Sequence, residues 1–74
     1  METGTIVKSK KGHDTDRIYL VSAVLNEDFV LVCNGKHRKL DNPKQKRIKH
    51  LEVLGKVELP ADLNDAKIRK ICKL

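Results

Sequence analysis

The chain has 74 residues, of which 39% are hydrophobic, 35% charged and 3% aromatic, and its formal net charge is +6. That length suits one small domain with little room for an enclosed catalytic pocket. The longest uncharged apolar run, Ile18 to Leu25, is far short of the roughly 20 residues a bilayer span needs. The N-terminal Met-Glu-Thr-Gly lacks the charged and apolar regions of a signal peptide, and Cys33 and Cys72 are too few for a disulfide framework. A reduced, cytoplasmic protein is the expectation.

In chain order, Gly4 to Ser9 predicts a strand, because a glycine precedes the β-branched Thr5, Ile6 and Val7. Lys10 to Asp16 is a polar loop around Gly12. Arg17 to Leu25 is a second, mostly apolar strand, and Asn26-Glu27-Asp28 a turn. Phe29 to Cys33 is apolar throughout, which predicts a third strand covered on both faces. Asn34-Gly35 is a strong two-residue hairpin signal, since both residues tolerate positive φ. It predicts that Lys36 to Leu40 folds back on Phe29 to Cys33. Asp41-Asn42-Pro43 ends that strand, Lys44 to Arg47 follows as a basic loop, and Ile48 to Leu59 holds a fifth strand bent at Gly55. The period then changes. Leu63, Ile68, Ile71 and Cys72 share one helical face, Asn64 is a good N-cap, and Leu63 with Ile68 occupies the positions of a hydrophobic staple. The expected fold is mainly β: a five-stranded barrel over residues 1–59, with a C-terminal helix of about three turns over 60–74 docked on it as part of one domain.

The charge is unevenly placed. Between Gly35 and His50 lie seven basic residues against the single acid Asp41; the rest of the chain is neutral, with nine of each sign. A one-signed stretch of this kind implies a polyanionic partner.

Gly4-Thr-Ile-Val7-Lys-Ser9-Lys-Lys-Gly12-His-Asp14, followed by Arg17-Ile-Tyr-Leu-Val21, resembles the KOW motif of ribosomal and transcription-linked RNA-binding domains. Gly12 matches the loop glycine and Asp14 the acid two residues later. Asp16 stands where such motifs commonly carry a second glycine. Asn26-Glu-Asp-Phe29-Val-Leu-Val32, Asn34-Gly35-Lys36, Asn42-Pro43-Lys44 and Ile48-Lys49-His50-Leu51 extend the resemblance to the large-subunit ribosomal proteins of the "fourteen-e" type of archaea and eukaryotes, a pattern shared by short bacterial KOW proteins. The resemblance spans residues 4 to about 54. It implies an SH3-like barrel that binds ribosomal RNA; the C-terminal helix lies outside it.

The candidate RNA-binding residues are Lys36, His37, Arg38, Lys39, Lys44, Lys46, Arg47, Lys49 and His50 in the basic segment, where each cation can neutralise a phosphate and release counterions. Lys10, Lys11, Gly12 and His13 in the first loop join them, since glycine lets backbone approach a phosphate closely. Asp14 would repel phosphate and is expected to cap the loop. Tyr19 and Phe29 lie in apolar strands and are expected in the core. That leaves no aromatic platform for splayed bases, so recognition of folded RNA by shape and phosphate is the expectation. His13, His37 and His50 with the two cysteines show no metal-ligand spacing, and no nucleophile elbow or phosphate-cradling glycine motif suggests an enzyme. The sequence therefore predicts a monomeric, non-catalytic RNA-binding protein without metal or cofactor, ribosomal or ribosome-associated, with ribosomal proteins as further partners. A KOW-type protein–protein adaptor in the transcription or translation machinery is the alternative.

Overall fold

The computed structural model describes residues 1–73. Five strands, β1 (Thr5–Ser9), β2 (Ile18–Val24), β3 (Phe29–Cys33), β4 (Lys44–Arg47) and β5 (Leu51–Lys56), precede one helix, α1 (Asp65–Ile71), and a 3₁₀ turn at Ile48–His50 joins β4 to β5. All pairings are antiparallel, in the order β4-β3-β2-β1-β5. The fold is thus mainly β, a small barrel-like sheet with a short C-terminal helix, as the apolar runs imply. No described helix is long and apolar enough to cross a membrane.

Strand alternation sends side chains to two separate cores. Val7, Tyr19, Val21, Val30, Val32 and Leu51 fill the concave interior, with Ile48 packed against them. Leu20 and Cys33 point outward, where Ile68 and Cys72 of the C-terminal segment cover them, with Ile6, Ile18, Leu40, Leu63 and Ile71 around the rim. The helix is therefore part of the fold. Asn64 caps it, accepting from the Lys67 amide at 2.9 Å. α1 spans seven residues, shorter than the expected three turns.

The region between β3 and β4 departs from expectation. Lys36 to Leu40 forms no strand, and Lys44 to Arg47, expected as a loop, is the strand that pairs with β3. The cause is Asn34, which is fully buried. Its side-chain oxygen accepts from the amides of Lys36, His37 and Arg38 at 3.0, 2.9 and 3.1 Å. The Arg38 carbonyl accepts from the amides of both Asn34 and Gly35. Amides that a ladder with β3 would use are consumed inside the loop. Gly35 has φ +76°, and a Cβ there would stand 2.3 Å from the Asp65 carbonyl oxygen, so the helix start lies directly on this turn. The fifth strand is also shorter than expected, ending at Lys56.

Candidate nucleic-acid interface

β4 has the sequence Lys-Gln-Lys-Arg, and the pleat divides it. Lys44 and Lys46 lie opposite Val32 and Val30, on the interior side; Gln45 and Arg47 lie opposite Leu31 and Phe29, on the outer side. Two lysines thus enter the barrel mouth, where Asp14 meets them. The Asp14 side chain is 2% exposed. It accepts from Lys46 Nζ at 2.7 Å, the Tyr19 hydroxyl at 2.7 Å, Ser9 Oγ at 3.0 Å and Lys44 Nζ at 3.3 Å. Burial alone would raise the Asp14 pKa, but donation by Lys46, then Tyr19, Ser9 and Lys44, outweighs it and holds the carboxyl well below the usual range. Burial pushes Tyr19 up to about 12, helped by its bond to Asp14. Lys46 Nζ also donates to Ser9 Oγ and the Lys11 carbonyl, at 3.1 and 3.2 Å. The Asp14 carboxylate therefore ties the β1–β2 loop to β4 rather than capping its own loop: its partners are all side chains, and the Arg17 amide donates instead to the Asp14 main-chain carbonyl.

The network corrects a second expectation. Lys46, expected as a phosphate ligand, is buried and committed to Asp14. Lys44 is partly buried and shares the same carboxylate. Lys10, Lys11, Gly12, His13, Lys36, His37, Lys39, Arg47 and Lys49 are exposed, and Arg38 and His50 half-buried. Gly12 has φ +97°, and a Cβ there would lie 3.4 Å from Asp14 Oδ1. Asp16, in place of the second loop glycine, adopts φ +74°, the backbone region glycine favours.

Three segments are brought together. The Lys10 amide donates to the His50 carbonyl at 2.9 Å, placing the β1–β2 loop beside the 3₁₀ turn. Partial desolvation, then the charges of Lys11, Lys49, Arg47 and Lys46, lower the His50 pKa. Partial desolvation, then Arg17 and Lys36, lower that of His37. The histidines thus mark where cations from separate segments converge. Arg17 was not among the sequence candidates; its only signal was its place at the end of the loop. Arg69 was missed as an anchor: it donates to the Gly35 carbonyl at 2.7 Å, while Asp65 accepts from the Leu40 amide at 2.7 Å. Both bonds hold the β3–β4 loop to α1.

The aromatic expectation divides. Tyr19 is fully buried in the interior core. Phe29 is half-buried, belongs to neither core cluster, and carries the Arg47 guanidinium 4.9 Å from its ring centroid. Cys33 and Cys72 are free thiols buried in the helix-side core, and burial raises both, Cys72 to about 11. They serve as small apolar groups there. No family model matches this chain, and no curated protein matches it in sequence.

Proposed function

We propose that the chain is a non-catalytic RNA-binding protein of the KOW type, which recognises structured RNA, foremost ribosomal RNA, as a ribosomal or ribosome-associated component. The observation that carries this reading is the backbone bond from the Lys10 amide to the His50 carbonyl, which sets the exposed Lys10 and Lys11 of the β1–β2 loop beside the exposed Arg47 of β4 and Lys49 of the 3₁₀ turn. Asp14, the acid that meets the β4 lysines, is buried and already paired, while the exposed acids Asp16, Glu27 and Asp28 border the cations of the loop and the 3₁₀ turn. The surface left is cationic, built on two tethered loops, and suited to phosphates at fixed spacing.

The test is titration of labelled ribosomal RNA at several salt concentrations. Four to six phosphate contacts give a slope of log affinity on log salt of about −3 to −5, taking about −0.7 to −0.9 per phosphate. A slope near zero overturns the reading. A protein-binding reading has one observation in its favour: edge strand β5 exposes Val53 and Leu54 by 60% and 48%. Apolar contacts of that kind would leave affinity almost insensitive to salt, so the same titration separates the two.

A further inference from the structure

Phe29 is the only phenylalanine of the chain, and the fold does not use it as core. Its cross-strand partner is Arg47, with the guanidinium carbon above the ring at 4.9 Å. Gln45 lies two residues along β4, exposed and on the same outer side, opposite Leu31. The helix covers the sheet at Leu20 and Cys33 but stops short of this corner. Arg47 is exposed and makes no ion pair among the described residues, although Glu27 and Asp28 line the same shallow cleft with Lys49.

From this geometry we infer that Arg47, carried on the Phe29 ring, is a stacking site for one unpaired nucleobase of the bound RNA; the inference rests on the RNA reading above. A guanidinium is planar and has two faces. The guanidinium carbon sits over the Phe29 ring, which restrains an otherwise mobile side chain and lowers the cost of ordering it on binding. Because Arg47 is exposed, its planar group is open to the bound RNA as a flat cationic surface on which a base stacks, whatever its identity. The Gln45 amide, both donor and acceptor, is placed to meet the base edge or a 2′-hydroxyl. Lys49 beside the cleft supplies a phosphate partner. The carboxylates of Glu27 and Asp28 repel phosphate from the turn side, so the RNA backbone runs toward β4 and the loops. This site adds local recognition of an extrahelical base to a surface that otherwise reads shape and charge.

The experiment compares two RNA hairpins that differ by one bulged 2-aminopurine, against wild type, Arg47→Lys and Phe29→Leu. Arg47→Lys keeps the charge and removes the plane; Phe29→Leu removes the ring beneath it. Wild type should prefer the bulged hairpin by about tenfold and change the 2-aminopurine fluorescence on binding. Both variants should lose that preference, read as the ratio of the two hairpin affinities within each variant, and the fluorescence change with it. A preference that survives Arg47→Lys overturns the stacking site, as does equal binding of both hairpins by wild type. If wild type binds neither hairpin in a salt-dependent way, the RNA reading itself fails as well.

Discussion

Asp14→Asn tests the buried network most directly. The substitution preserves shape, removes the charge, and leaves the Lys46 ammonium, whose side chain is 10% exposed, without its 2.7 Å counter-ion. Breaking one partner of a buried ion pair costs about 3–5 kcal/mol. The low end applies, because Lys46 Nζ retains Ser9 Oγ and the Lys11 carbonyl. A loss of about 3 kcal/mol corresponds to a fall in Tm of roughly 12–24 °C in a domain of this size. Urea denaturation of wild type, Asp14→Asn, Lys46→Met and the double variant completes a thermodynamic cycle. The double variant should be less destabilised than the sum of the singles by about 2 kcal/mol, since neither leaves the other's charge stranded. Acid adds a second reading. Unfolded Asp14 takes up a proton below about pH 4, whereas the folded carboxyl, held low, does not. Its stabilisation is therefore complete above that pH and is lost as pH falls toward the depressed folded pKa. Asp14→Asn should lose this part of the acid sensitivity. A cost below about 1 kcal/mol, strict additivity, or an unchanged acid profile would each refute the reasoning.

Three further outcomes follow from the same structure. Tyr19 is the only tyrosine and there is no tryptophan, so phenolate absorbance reports it alone; it should ionise near pH 12 in the native protein and near 10 in urea, with the neutral ring's stabilisation lost as pH rises across that interval, and a native midpoint near 10 would remove the Asp14 bond. Gly35→Ala must accept φ +76° and a Cβ 2.3 Å from the Asp65 carbonyl, which should cost about 2–4 kcal/mol in a denaturant melt; a cost under about 0.5 kcal/mol would show that the helix does not press on this turn. Replacing exposed Lys10, Lys11, Lys36 and Lys49 by alanine should weaken RNA binding in a filter assay with Tm nearly unchanged, whereas Lys46→Ala alone should lower Tm; the opposite pattern would reverse the assignment of surface and buried cations.

Much of the architecture is legible residue by residue. Thr5-Ile6-Val7, the Ile18–Val24 run and Phe29–Cys33 form strands where β-branched and apolar side chains cluster, since local sterics and burial favour the same conformation. The Asn64 cap and the Leu63–Ile68 pair mark the helix start because both act over a few residues. The concentration of cations between Gly35 and His50 is likewise a property of the chain alone.

Long-range contacts decided the rest. Asn34-Gly35 carries a hairpin signal, yet the buried Asn34 side chain and the helix resting on Gly35 turn the segment into a loop and leave the edge of β3 to Lys44–Arg47. Once that register exists, the pleat sends Lys44 and Lys46 inward and Gln45 and Arg47 outward, a division no count of charges contains. Phe29 remains half-exposed beneath Arg47 because α1 covers the other end of the sheet. Local sequence determines which segments can be strands or helix, through the conformations and burial each side chain favours. Which cations face solvent and which are buried depends on what crosses above them, and that is set only when residues far apart in the chain, such as Asp14 and Lys46 or Gly35 and Asp65, come into contact.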